Sequence, residues 1–98
     1  MYYTYILTDS RNDRIYIGVT NCLARRLEEH QQHLIDGYTK RFHIRKPVYY
    51  EIFEDVNNAI AREKQLKRWT RCKKDMLIVS KNPDWEDLSE QIFRDQNA

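Results

Sequence analysis

Two runs rich in Tyr, Ile, Thr and Val, Tyr2 to Leu7 and Arg14 to Val19, flank a stretch of turn chemistry from Thr8 to Asp13. No other feature constrains the fold as strongly: the pattern reads as a β-hairpin close to the start of the chain. A turn centred between Ser10 and Arg11 sets Tyr5 opposite Tyr16 as a cross-strand pair. Gly18 then falls on the same face, leaving a bare patch where a ligand or a backbone can approach closely. Paired tyrosines are also simply good sheet formers, so the pair by itself does not specify a site.

Beyond the hairpin the period changes from strand to helix. Asn21 is a suitable N-cap for a helix from about Cys22 to Asp36, with Gly37 as its left-handed stop. The segment from Tyr38 to Pro47 is basic and irregular, with room for one short helical turn. Pro47 opens a third strand, Val48 to Phe53. Asn57 or Asn58 caps a second long helix reaching about Thr70. Residues 75–98 form a C-terminal helical segment, with helix over Asp75 to Ser80, a turn at Asn82-Pro83-Asp84 and helix again over Trp85 to Arg94. The expected class is α+β: a three-stranded antiparallel sheet flanked by helices, in the order β-β-α-β-α-α. A chain of 98 residues with 41% hydrophobic content supports one domain, residues 1–98, around one core.

Both helices carry polar residues where apolar ones are expected. In the first, Leu23, Leu27 and Leu34 define a stripe, His30 falls inside it and Arg26 lies at its edge one turn earlier. Such a histidine is either a hydrogen-bonded core residue or a catalytic one. In the second, Ala59, Leu66 and Thr70 share a stripe, and Glu63 projects within about 40° of its centre. A carboxylate facing a core is costly unless it is paired or holds a cation. Two readings fit Glu63: a salt bridge to Arg26, or a single oxygen ligand for Mg²⁺, which keeps several waters of its own.

Charge is unevenly distributed. Residues 38–74 hold eleven Lys and Arg against four Asp and Glu, while residues 75–98 hold two against six. A basic middle third suits a polyanion, since each neutralised phosphate releases counterions; a solvated charged face is the bland alternative. The candidate nucleic-acid contacts are Lys40, Arg41, Arg45, Lys46, Lys67, Arg68, Arg71, Lys73 and Lys74, with Trp69, Tyr38, Tyr49 and Tyr50 as surfaces for stacking bases. Cys22 and Cys72 lie too far apart for a metal-type pair. The start lacks the pattern of a signal peptide and no apolar run reaches membrane-spanning length, so the expected location is the cytoplasm, with no membrane partner and no obligate protein partner evident.

Together these residues resemble the GIY-YIG nuclease superfamily. The first motif stands as Tyr3-Thr4-Tyr5 followed by Ile6-Leu7, and the second as Tyr16-Ile17-Gly18. Thr20-Asn21-Cys22-Leu23-Ala24-Arg25-Arg26 and then His30 resemble the helix that carries the family's arginine and a histidine one turn later. Ala59 to Glu63, followed by Lys64-Gln65-Leu66-Lys67-Arg68-Trp69, resembles the family's glutamate helix. The match spans residues 3–69 with all four elements in order. More narrowly, the chain is similar to the compact, stand-alone bacterial branch that consists of little besides the nuclease module. Two departures stand out: Tyr-Thr replaces Gly-Ile in the first motif, and Asn82 is only a loose counterpart of an asparagine that many relatives carry after the glutamate.

The resemblance implies an endonuclease that hydrolyses phosphodiester bonds in DNA or RNA. Glu63 would hold one Mg²⁺ or Mn²⁺, Arg26 would stabilise charge on phosphorus, Tyr5 or Tyr16 would help deprotonate the attacking water, and His30 would orient water or share the proton. The competing readings are a module of the same fold that binds nucleic acid without cutting it, and a protein-interaction domain built on the basic helix.

Overall fold

A computed structural model describes residues 1–32 and 37–97, the side chains of 96 and 97 excepted. Leu34 and Asp36 of the expected first helix lie outside the described residues. The elements are β1 (Tyr2–Thr8), β2 (Ile15–Thr20), α1 (Leu23–Gln31), α2 (Gly37–Arg41), β3 (Lys46–Phe53), α3 (Val56–Arg68), α4 (Arg71–Lys81) and α5 (Ser89–Asn97). The strands form one antiparallel sheet in the order β2-β1-β3. The expected α+β class and three-stranded antiparallel sheet are present; the short helical turn expected before β3 is α2, and the helix expected over Trp85 to Arg94 is α5, which begins at Ser89.

The hairpin register differs from the sequence expectation by two residues. Tyr5 faces Gly18, and Tyr16 faces Leu7. The turn is responsible. Asp9 accepts from the backbone N–H of Asp13 at 2.8 Å and of Arg14 at 3.4 Å, and Asn12 takes a left-handed φ of 60°. This side-chain-stapled loop moves the centre of the hairpin toward β2. A shift of two leaves each side chain on its original face, so Tyr5, Tyr16 and Gly18 still share one.

Helix boundaries moved for similar local reasons. Asn21 does not cap α1: Cys22 holds the N-cap position without a side-chain bond, and Asn21 instead accepts from Arg25 at 2.9 Å. Gly37 is no left-handed stop, because no glycine has positive φ; it opens α2. The α3 cap is Asp55 rather than Asn57 or Asn58, its carboxylate accepting from Asn57 N–H at 2.8 Å. Thr70 lies outside the α3 stripe as the cap of α4, accepting from Lys73 N–H at 3.2 Å. Helix does not resume at Trp85, whose φ is 52°. There the buried Asn82 side chain donates to Val48 and Glu86 carbonyls at 3.0 and 2.9 Å and accepts from Glu86 N–H at 3.0 Å, holding the loop open until α5.

The sheet separates two apolar clusters. On one face Tyr3, Tyr5 and Leu7 pack with Leu23 and Leu27 of α1 and Ile92 of α5. On the other, Ile6, Ile17 and Tyr49 pack with Leu66 of α3 and Ile78 of α4. Thr4, wholly buried, donates its hydroxyl to the Ala59 carbonyl at 2.8 Å and ties α3 to the central strand. Helices therefore cover both faces, and among the described residues none is long and apolar enough to cross a membrane.

Candidate active site

Gly18 is where the site begins. A Cβ placed there would lie 2.5 Å from the Tyr5 hydroxyl oxygen, 2.6 Å from Tyr5 Cζ and 3.1 Å from Tyr16 Cε2. The bare patch expected for a ligand or a backbone is thus filled by the Tyr5 ring, which crosses edge strand β2 at its only residue without a side chain. The rings of Tyr5 and Tyr16 sit 6.3 Å apart, and the His30 ring stands edge-on to both at 6.0 and 5.2 Å. His30, 1% exposed, shares a 3.2 Å hydrogen bond from Nε2 with the Tyr5 hydroxyl and a 3.3 Å one from Nδ1 with Thr39 of α2. The histidine inside the α1 stripe is therefore both hydrogen-bonded in the core and in contact with the two tyrosines.

Arg26 and Glu63 complete the group from opposite sides. Arg26 reaches the Tyr5 hydroxyl, and its charge favours the phenolate. Its Nε lies 3.3 Å from Glu29 Oε1 yet makes no hydrogen bond, because that carboxylate sits off the donor axis. The Arg26 side chain as a whole is 34% exposed, so its guanidinium can meet an anion through its outer nitrogens. Helix α3 packs on the sheet face opposite the tyrosines, but the charge of Glu63 still acts on the Tyr5 phenol. The Arg26–Glu63 salt bridge, one of the two sequence readings, is absent: Arg26 pairs with Glu29, and Glu63 pairs with Lys67 at 3.5 Å. Nor is Glu63 isolated on an apolar stripe, since its side chain is 20% exposed.

Burial, more than any other cause, pushes the Tyr5 phenol well above its ordinary 10.0, and the neighbouring Tyr16 adds to this while Arg26 opposes it. Tyr5 is accordingly a neutral hydroxyl near pH 7. The consequence for stability has a definite sign. The folded state holds the Tyr5 proton more tightly than the unfolded chain, so this contribution is complete below pH ~10 and is lost as pH rises from there. Denaturant unfolding of wild type and Tyr5→Phe across the alkaline range is expected to show the steeper decline in wild type. Tyr49, pushed up to about 12 mainly by burial, and Tyr50 contribute equally to both proteins. Parallel curves would mean that the Tyr5 hydroxyl is not held in the core.

The donor set suits a hard divalent ion held loosely. Among the described residues no group of three or more His, Cys, Asp or Glu is placed to cage a metal. One partly exposed carboxylate, Glu63, with remaining positions left to water and phosphate, is the habit of Mg²⁺ or Mn²⁺ rather than of a closed Zn²⁺ site.

The basic residues fall into two groups. Arg71 is structural: it pairs with Asp75 at 2.7 Å and donates to the Asn12 and Asp13 carbonyls, bracing the hairpin turn. Lys67 is tied to Glu63, and Lys73 lies 4.3 Å over the Trp69 ring. Lys40, Arg41, Arg45 and Arg68 are exposed, and Lys46 and Lys74 half-buried. Of the proposed stacking surfaces Tyr49 is withdrawn, since it is 3% exposed and bonded to Glu51. A cavity of about 860 Å³ lies along β3 and the Asn82–Glu86 loop, away from Tyr5 and Tyr16.

The profile of the GIY-YIG catalytic domain matches residues 1–76, which hold Tyr5, Tyr16, Arg26, His30, Thr39 and Glu63. The chain belongs to the GIY-YIG family. It is 36% identical over 92 residues to a UPF0213 protein of Clostridium perfringens, covering 94% of this chain and 98% of that one. A UPF0213 protein of Bacillus pumilus is 36% identical over 80 residues, 79% of this chain and 78% of its own. The solution NMR structure of a UPF0213 protein of Bacillus halodurans superimposes with a TM-score of 0.57 at 26% identity, over 92% of this chain and 96% of that one. In GIY-YIG terms, the first motif lies on central strand β1 and the second on β2. Their tyrosines meet because the motif glycine lets one ring cross the strand of the other. Thr39 was missed from the sequence, as nothing local in Gly37–Arg41 indicates that its hydroxyl holds a histidine on another helix.

Proposed function

We propose that this GIY-YIG protein is a metal-dependent endonuclease hydrolysing phosphodiester bonds in DNA, structured or damaged DNA included. One observation carries the reading: three separate elements, β2, α1 and α3, bring Tyr16, His30, Arg26 and the charge of Glu63 to bear on the buried phenol of Tyr5. Glu63 would hold one Mg²⁺ or Mn²⁺, which would supply charge neutralisation at the phosphate and the departing oxygen. The guanidinium of Arg26 binds the scissile phosphate and stabilises the added negative charge at phosphorus. Tyr16 is the less buried of the two phenols and faces the incoming water. Tyr5, a neutral hydroxyl, hydrogen-bonds and so fixes the His30 ring, whose other nitrogen Thr39 holds. His30 orients the water or takes part in its proton transfer.

The test is a nicking assay with supercoiled plasmid and with linear, branched and single-stranded DNA and RNA. Cutting is expected with Mg²⁺ or Mn²⁺ and none in EDTA. Binding is expected to weaken as salt rises, each lost phosphate contact lowering the logarithmic salt slope by ~0.9 on duplex DNA. Arg68→Glu and Lys40→Glu, both exposed and outside any ion pair among the described residues, are expected to weaken binding without unfolding the chain. Salt-dependent binding without cutting on any substrate would leave a nucleic-acid-binding module in place of a nuclease.

A further inference from the structure

At the hairpin end of the sheet lies a second cavity of about 410 Å³, whose wall includes Ser10, Gln31, His43, Arg45, Lys46 and Asp87. Its chemistry is opposite to that of the larger cavity, where Glu51, Asp84 and Glu86 outnumber Lys81. Arg45 and Lys46 take part in no ion pair or side-chain hydrogen bond among the described residues. Asp87 also lines the cavity, its Oδ1 accepting from Ser89 N–H at 2.8 Å at the start of α5, so the wall sets two cations against one carboxylate. The Ser10 hydroxyl and the His43 imidazole add polar groups around the two cations, while the Gln31 amide donates to the Ser89 hydroxyl at 3.2 Å.

The backbone presents this wall under constraint. His43 has a φ of 53°, a left-handed conformation that a residue with a Cβ adopts only when its surroundings impose it. Here Ile44 N–H is held by the Thr39 carbonyl at 2.9 Å and Arg45 N–H by the Thr8 carbonyl at 3.1 Å. The same short segment therefore supports His30 at one end, through Thr39, and aims Arg45 and Lys46 into the cavity at the other. Gln31 directly follows His30 on α1. Along β1 the cavity residue Thr8 stands three residues beyond Tyr5, ~10 Å at the usual strand rise, too far for one phosphate to touch both.

From this we infer that the cavity is a phosphate subsite, taking one backbone phosphate of the nucleic-acid substrate at a nucleotide other than the one cut. The inference rests on the proposed nucleic-acid substrate but not on cutting. Arg45, Lys46 and the polar groups around them clamp that phosphate and so fix where the strand lies relative to Tyr5 and Arg26.

The experiment is a binding walk in EDTA, where no turnover interferes. A short single-stranded oligothymidylate carries one uncharged methylphosphonate, moved linkage by linkage. Each is titrated against wild type and the Arg45→Gln/Lys46→Gln protein, with NMR following residues 10, 31, 43, 45 and 46. One internal linkage is expected to weaken binding about tenfold in wild type, and to have no effect in the variant. Equal losses at every linkage, or equal losses in both proteins, would overturn the subsite in favour of diffuse attraction. Oligonucleotides with and without a terminal phosphate, and inorganic phosphate alone, separate the sources. A response confined to the terminal or free phosphate would overturn the internal-phosphate assignment. A mapped linkage in a protein that cuts nothing retains the subsite and removes the nuclease reading; cutting without a mapped linkage does the reverse.

Discussion

Glu63→Gln is expected to lower cutting by orders of magnitude while moving the melting temperature very little. The substitution keeps the size of the side chain and its capacity for hydrogen bonds, and removes the charge that a Mg²⁺ ligand supplies. Stabilisation of the transition state by a bound ion is worth several kcal/mol, and each ~1.4 kcal/mol is tenfold in rate. The small effect on stability follows from the partner. Had Glu63 been buried against Arg26, removing its charge would cost roughly 3–5 kcal/mol by stranding the guanidinium. Its partner is instead Lys67, one helical turn away at 3.5 Å and more than half exposed, and a solvated pair of this kind contributes only ~0.3–0.5 kcal/mol. Thermal unfolding in EDTA and cutting rates in Mg²⁺ are to be measured on the same preparation. A large drop in melting temperature would make Glu63 a strut, and an undiminished rate would remove it from the metal site.

Gly18→Ala is expected to destabilise the protein by about 1–3 kcal/mol, the usual cost of forcing added volume into a packed interior. The new methyl carbon would overlap the Tyr5 hydroxyl and Cζ, both held from behind. Tyr5 is 1% exposed among Leu23, Leu27 and Tyr3, and its hydroxyl is fastened to His30, so the ring has no open space to enter. If the chain accommodates the methyl, the Tyr5–His30 hydrogen bond breaks, and cutting falls with it. Gly37→Ala is the matched control: among the described residues no packing neighbour lies within 4 Å of its Cβ, and its φ is not positive. Exchanging glycine for alanine at that helical position is expected to be neutral or stabilising by up to ~1 kcal/mol. Chemical denaturation of the two variants beside wild type decides the matter. Equal stability of all three would show that the Tyr5 ring does not cross β2.

What the sequence by itself determined follows from local periodicity. Alternation in Tyr2–Thr8 and Ile15–Thr20 puts Tyr5, Tyr16 and Gly18 on one face whatever the exact register, because a slip of two residues leaves every face unchanged. Helical periodicity likewise placed His30 beside Arg26 and turned Glu63 toward the sheet, and the ordered motifs named the family. Tertiary structure decided everything that depends on distance between elements. That Arg26 pairs with Glu29 and Glu63 with Lys67, that Arg71 braces the hairpin turn, and that Thr39 holds His30 are contacts read only from the folded chain. Caps and hairpin register were decided there too, since Asp9, Asp55 and Asn82 compete with their neighbours for the same backbone groups, and only the three-dimensional path of the chain selects among them.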